Sequence, residues 1–412
     1  MPPPVSSAYS ARGAPEMRFS IRPGRLRYQL AAFFTTRAIV NTTFRMVYPF
    51  LPALARGLGV DVQTVALAIT ARSSLGIAAP FFGSAADFAG RKRGMLTGLA
   101  LVGLGLVLVS LRPSFATFCI MLLLTSSGKI LFDPSMQAYL GDRVGYAQRG
   151  MAIAATEVGW SASFLVGIPI VGWLIARGGW TAPFPWLAAC TLVALAVLAA
   201  WLPPDSVRGT ASSSVARHVR AVLRHPAAVG GLALSALLSS ANESVNIVYG
   251  LWMEGRFGLQ VAALGAASAV IGIAELAGEG LVAGLADRMG KRRAVALGIV
   301  LNAFAGLALP LIATTTLGAL VGLFAFYLTF EFTIVSSLPL MTELVPAARA
   351  TMMATNFAAL SIGRALGALV GPPLFAGGIT ANVGLAAVLN AAALVILAVF
   401  VREESDVRPV EA

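Results

Sequence analysis

The sequence predicts an all-α integral membrane protein. It has twelve transmembrane helices in two pseudo-symmetric six-helix bundles, with both termini cytosolic. Three observations predict this. First, the 412 residues are 58% hydrophobic and only 12% charged, whereas soluble chains are about 45–50% apolar and about 25% charged. Second, apolar runs of about 20 residues, the length that crosses a bilayer core, recur along the whole chain. Third, a short acidic–glycine–basic stretch occurs twice, once in each half of the chain. Inside a bilayer the backbone must bond to itself, which leaves helices or closed barrel strands. Barrel strands alternate polar and apolar residues. Runs such as Leu96–Leu111 and Leu192–Leu202 do not, so the spans are helices.

In chain order the apolar segments are 28–55, 64–86, 94–111, 115–141, 150–176 and 182–202, then 227–252, 262–286, 294–313, 315–343, 350–376 and 381–402. They imply an N-terminal bundle over 28–202 and a C-terminal bundle over 227–402. Residues 1–27 form a Pro- and Ser-rich basic tail without the apolar core and small-residue site of a secretory signal. Residues 403–412 form a second tail. The linker 203–226 is polar, and around Val215–Arg224 it can form an amphipathic helix lying on the membrane surface.

The net charge of +12 would suggest nucleic acid in a soluble protein. Here the basic residues sit in loops on one side, so no nucleic acid partner is expected. With the N-terminus inside, the cytosolic side holds 21 Lys and Arg, and the outer side holds only Arg56, Arg112, Arg177 and Arg256. The bias of basic residues toward cytosolic loops therefore puts both ends inside, in the cell membrane. Cys119 and Cys190 fall within apolar segments, which argues against a disulfide framework or a metal site.

The repeated stretch is Gly83 to Arg93, Gly-Ser-Ala-Ala-Asp-Phe-Ala-Gly-Arg-Lys-Arg, and Gly284 to Arg293, Gly-Leu-Ala-Asp-Arg-Met-Gly-Lys-Arg-Arg. Asp87 falls on Asp287, Gly90 on Gly290 and Arg91 on Lys291. Further along, Asp142 falls on Glu343, Arg149 on Arg349, Gly167 on Gly367, and Val47-Tyr48-Pro49 on Val248-Tyr249-Gly250. The repeated loop resembles the signature of the major facilitator superfamily, G-x-x-x-D-R-x-G-R-K/R-x, between its helices 2 and 3 and again between helices 8 and 9. The first copy has Phe88 where the superfamily has Arg, and Gly284 sits one residue late in the second. The resemblance covers nearly the whole chain. It implies a cytosolic gate built from Asp87, Gly90, Arg91, Asp142 and Arg149 in one half, and Asp287, Gly290, Lys291, Glu343 and Arg349 in the other. There, acids and bases bond at helix ends.

The fifth segment carries Gly167, Pro169 and Gly172, and the eleventh carries Gly363, Gly367, Gly371 and Pro372. Small residues four apart allow close helix packing. The eleventh segment, and less fully the fifth, also resembles the G-x-x-x-G-P motif of the superfamily's antiporters.

Ionisable residues inside spans cost about 2.5–3.5 kcal/mol each on insertion scales and so mark function. The first segment has Arg37, Asn41 and Arg45 at four-residue spacing, one helix face. The fourth has Lys129 and Asp133, the seventh Glu243 and Asn246, the tenth Glu331, and the eleventh Asn356 and Arg364. The resemblance places segments 1, 4, 7 and 10 around the central cavity. It thereby implies a solute site of Arg37, Asn41, Arg45, Lys129, Asp133, Glu243, Asn246 and Glu331, to which Asn356 is added. Asp133, Glu243 and Glu331 are the proton-carrier candidates. Lys129 and Asp133 could equally be a neutralised structural pair, and Arg45 could reach for lipid headgroups. Arg72, Glu157, Glu275 and Glu279 are expected in pairs internal to one bundle, and Trp160 and Phe357 in packing. The arginine that many proton-coupled exporters of the superfamily carry in the fourth segment falls here at Leu122.

The stretch Arg45-Met46-Val47-Tyr48-Pro49-Phe50-Leu51-Pro52 resembles the start of the superfamily's twelve-helix drug:proton antiporter branch. That implies a monomeric secondary transporter in the lipid bilayer, exporting a small organic or amphipathic solute in exchange for protons. The basic face Arg37–Arg45 with Lys129 motivates an alternative, a carrier of small anionic metabolites. The apolar cavity walls motivate another, a lipid or lysolipid transporter. No enzyme activity, cofactor or metal is expected. No G-x4-G-K-S/T phosphate loop is present, and His218 and His225 both lie in the linker.

Overall fold

The computed structural model describes residues 23–81, 90–144, 146–203 and 215–401, without the side chains of 23–26, 146–150, 153, 283, 286, 287 and 347. Asp87 and the side chains of Arg149 and Asp287 therefore lie outside the described residues, as do most of both tails. All regular structure among the described residues is helical.

The first half holds α1 (Pro23–Arg45), α2 (Leu51–Leu58), α3 (Val62–Ser74), α4 (Arg91–Leu111), α5 (Phe115–Arg143), α6 (Tyr146–Ala162), α7 (Ile168–Gly178) and α8 (Pro183–Trp201). A short surface helix follows, α9 (Val215–Leu223), which buries Val222 and exposes Arg217 and Arg220. The second half holds α10 (Pro226–Asn246), α11 (Tyr249–Phe257), α12 (Val261–Met289), α13 (Lys291–Ile312), α14 (Thr316–Leu344), α15 (Arg349–Leu374) and α16 (Ile379–Phe400). Among the described residues ten helices are long and apolar enough to cross a membrane. The pair formed by α9 and Pro226–Phe257, bent by 94°, would make an eleventh. The helix α1 is not among the ten, and it carries Arg37 and Asn41 in its interior and Arg45 at its C-terminal end.

Local sequence explains the breaks. The first and seventh segments each split at the repeated Val-Tyr pair, between α1 and α2 and between α10 and α11. At the first split Pro49 has no N–H and pushes Tyr48 away from helical geometry. The fifth segment widens into a π turn over Ser163–Gly167, just before Pro169. The proline ring lacks the donor that an α-helical ladder needs there, and the wider turn accommodates the gap. The long helix α5 starts on a capping box, with Ser114 and Thr117 each bonding the other's backbone N–H.

The repeat reaches the backbone. Every described residue with positive φ is a glycine, and the six form three pairs about 200 positions apart: Gly59 with Gly258, Gly90 with Gly290, and Gly179 with Gly378. Gly90 (φ 101°, ψ 150°) and Gly290 (φ 83°, ψ 142°) open α4 and α13 in a region where a Cβ is not tolerated.

Within the first half α4 packs on α5 and α8, and α1 on α6 and α8. Within the second, α10 packs on α15 and α16, and α13 on α14 and α16. The halves meet along two seams, α12 against α6 and α7, and α15 against α3. At the first seam a Cβ on Gly172 would fall 3.0 Å from the Gly265 Cα, and Pro169 adjoins Gly265 as well. The remaining repeated glycines pack inside their own halves. Gly167 sits on Thr42, while Gly367 lies against the Ser240 carbonyl and Gly371 against that of Ser244.

Candidate functional site

Three buried polar clusters lie on the faces where the halves approach each other. The first belongs to the first half. The four-residue spacing on α1 brings Arg37 and Asn41 onto one face, and the same spacing on α5 presents Lys129 and Asp133 to it. Lys129 donates to the Asn41 Oδ1 at 2.5 Å and to the Asp133 carboxylate at 2.6 Å. Arg37 pairs with Asp133 at 3.4 Å and with Glu157 of α6 at 2.6 Å. Gln137 donates to Glu157 at 3.0 Å. Two cations and two carboxylates thus compensate each other. The Asp133 and Glu157 side chains stay 17% and 37% exposed, although both are mid-helix.

The second cluster joins the halves. The Arg45 guanidinium makes a two-point ion pair with Glu275 of α12, one of its bonds measuring 3.0 Å. It also donates to the Trp160 carbonyl at 3.2 Å. The Trp160 and Phe164 rings lie 4.1 and 3.8 Å from it, close enough for cation–π attraction. Arg45 is 5% exposed and Glu275 4%. This corrects two expectations. Arg45 does not reach for headgroups, because a buried carboxylate and two rings offer it more than the interface does. Glu275 is not paired inside its own bundle, because α12 packs on α6 and α7 of the other half. Glu279, one turn on, accepts from Ser161 of α6 at 3.5 Å. Glu331 of α14 lies within electrostatic reach of Glu275, Glu279, Glu157 and Arg45. Among the described residues it forms no ion pair of its own, and it is 8% exposed.

The third cluster sits at the other seam. Arg72, fully buried, donates to the Phe44 carbonyl at 2.7 Å and to the Tyr48 hydroxyl at 2.9 Å, all within the first half. Facing it, Glu243 accepts from Asn246 at 3.3 Å, and Asn246 in turn accepts from Tyr327 at 2.9 Å. Arg364 and Arg72 both lie within electrostatic reach of Glu243. Asn356 is buried on α15 with no bond to its Oδ1 among the described residues.

The two ends of the bundle differ. At the Gly90 end, Arg91 pairs with Asp142 at 3.4 Å, and Lys291 pairs with Glu343. Both pairs join neighbouring helices of one half, not the two halves. Arg349 is exposed at the start of α15. At the Tyr48 end the halves touch directly. Arg56 of α2 and Glu254 of α11 pair at 2.6 Å. Gly250 abuts the Pro49 carbonyl, and a Cβ there would fall 2.8 Å from the Tyr48 carbonyl. The repeated Val-Tyr-Pro and Val-Tyr-Gly turns therefore meet back to back.

Sequence reasoning left Trp160, Phe164, Glu275 and Glu279 outside the site. A signal was present: Glu157, Trp160 and Phe164 share a helix face at spacings of three and four, and Glu275 and Glu279 share another. Nothing local said that those two faces meet.

The sequence profile of the Major Facilitator Superfamily matches residues 33–241 and 232–412. An uncharacterized MFS-type transporter of Bacillus subtilis (strain 168), YceJ, is 29% identical over 81% of this chain and 86% of its own length. The multidrug resistance protein MdtG of Yersinia enterocolitica is 29% identical over 39% of this chain and 40% of its own. A crystal structure of a peptide transporter, POT, in complex with alafosfalin superposes with a TM-score of 0.74. It is 14% identical and covers 91% of this chain and 95% of that one. With both halves matched by the profile and the fold shared over nearly the full length, this chain belongs to the Major Facilitator Superfamily, as a membrane solute transporter.

Proposed function

We propose that the protein exports a small cationic or amphipathic organic solute in exchange for protons, by alternating access between its two halves. One observation carries this reading. Glu331 and Glu279 are carboxylates at the junction of the halves that form no ion pair among the described residues, and Glu275 shares its single cation with the other half. Carboxylates held away from water and short of counter-charge can take either a proton or an organic cation. Competition between the two is the basis of antiport. The resemblance to a multidrug resistance protein points the same way. The anion-carrier alternative loses its motive, because Arg37, Lys129 and Arg45 are already compensated by Asp133, Glu157 and Glu275. The proposal includes twelve spans, both ends on the basic side of the cell membrane, the Gly90-end pairs as its cytosolic gate, and a monomer as the working unit.

The test is transport in proteoliposomes under an imposed pH gradient. A lipophilic cation such as ethidium should move against the proton flow, and Glu331→Gln should lower the rate at least ~10-fold with helix content unchanged. Equal rates with and without the gradient would remove proton coupling. Movement of lysolipid but not ethidium would favour a lipid carrier instead.

A further inference from the structure

We propose that Arg45 is a tethered counter-cation of Glu275, released when the halves part at the Tyr48 end, and that Glu275 then receives the incoming proton. This deepens the exporter reading and rests on it for the direction of proton entry, with a lipophilic cation serving as a probe of the freed carboxylate.

The geometry divides the pair unequally. Everything that holds the guanidinium, apart from Glu275 itself, comes from the first half: the Trp160 carbonyl and the rings of Trp160 and Phe164. Lys129 also lies 5.1 Å from the Trp160 ring. When the halves separate, Arg45 stays behind in this clamp and Glu275 moves off on α12. Glu275 has no second cation at ion-pair distance among the described residues. Its titratable and charged surroundings are Tyr249, Glu279, Tyr327 and Glu331 from its own half and Arg45 from the other. Glu157, compensated by Arg37, faces the same group. A buried carboxylate that loses its counter-ion among other carboxylates must gain a positive charge or meet water.

The backbone ties the pair to the closeness of this seam. Two glycines of α12, both on the N-terminal side of Glu275, set how closely this helix approaches the first half. A Cβ on Gly265 would fall 3.1 Å from Gly172 Cα, and one on Gly272 would fall 2.8 Å from the Ser161 carbonyl. Only with these approaches closed does Glu275 reach Arg45. Closing this end therefore returns the tethered guanidinium to the carboxylate and displaces whatever cation had replaced it. One positive charge leaves for each that arrives, so the closed state stays neutral at Glu275.

The experiment reads binding and closure separately. Ethidium binding to purified protein is followed by fluorescence anisotropy. Closure is followed by the rate of disulfide formation between Arg56→Cys and Glu254→Cys, with Cys119 and Cys190 changed to Ala. Arg45→Met should bind ethidium roughly 10-fold more tightly and cross-link roughly 10-fold more slowly, because the competitor and the latch are the same group. Glu275→Gln should lose ethidium affinity, and the double variant should behave like Glu275→Gln. Arg45→Lys, which keeps the charge but not the fork or the stacking, should fall between and covers the case in which Arg45→Met does not fold. Unchanged cross-linking and affinity in both Arg45 variants would overturn the proposal. If no variant binds ethidium but Arg45→Met still cross-links slowly, the cation-export reading fails while the release of Arg45 stands.

Discussion

Replacing Asp133 by Asn removes one charge from the cluster on α1, α5 and α6 while keeping its shape. Lys129 then loses the carboxylate at 2.6 Å and keeps the Asn41 carbonyl oxygen at 2.5 Å. Arg37 loses its partner at 3.4 Å but keeps Glu157 at 2.6 Å. Most of the cost therefore falls on Lys129, which is 7% exposed. Breaking a buried pair by removing one partner costs about 3–5 kcal/mol. The substituted amide still accepts one bond, and Asp133 was 17% exposed, so about 2–3 kcal/mol is expected. At about 2 °C per kcal/mol for a chain of this size, the melting temperature should fall by about 5 °C. Unfolding of such a protein is irreversible, so variants are compared in one detergent at one scan rate, by tryptophan fluorescence. The decisive variant is the double, Asp133→Asn with Lys129→Met. It removes the stranded charge and should recover most of the loss, because replacing both partners of a buried pair is nearly neutral. If Lys129→Met instead adds its own loss to that of Asp133→Asn, the two residues are not a compensated pair and the reasoning is refuted.

Further expectations follow from single contacts. Gly250→Val places a side chain against the Pro49 and Tyr48 carbonyls; it should block closure at that end and lower proteoliposome transport at least ~10-fold, with far-UV circular dichroism unchanged. Gly290→Ala forces a Cβ into φ 83°, ψ 142° and should cost about 1–3 kcal/mol, read as a lower melting temperature. Lys291→Ala breaks a pair whose partners are 35% and 48% exposed; solvent screening keeps its stability cost below about 1 kcal/mol, while the transport rate should change if the pair belongs to the gate. Asp61 caps α3 by accepting from the Thr64 N–H at 2.6 Å, which holds its carboxyl below the usual carboxylate range. Its contribution is therefore complete at neutral pH and is lost as pH falls through that lowered value. The melting temperatures of wild type and Asp61→Ala should converge only in that acid range.

Much of this molecule is legible in the residues alone. Hydrophobic length marks the apolar helices, and Gly90 and Gly290 mark turns that need positive φ. A repeat of about 200 residues pairs those turns, because each is a property of a few adjacent residues. The spacing of Arg37 with Asn41, and of Lys129 with Asp133, likewise places each pair on one helix face, and the structure joins the two faces. The breaks at Tyr48 and within Ser163–Gly167 are also local, since Pro49 and Pro169 impose them. Other relations are not local. Arg45 and Glu275 are 230 positions apart, and nothing near either residue names the other. Which carboxylate meets Arg45 depends on how the glycines of α12 let it approach α6 and α7. The same docking leaves Glu331 without an ion pair among the described residues and sets Gly250 against Pro49. Helical spans follow from the chain's own hydrogen bonding and hydrophobicity. The pairing of charges between the halves is a property of how two finished surfaces fit, and that is decided only when they pack.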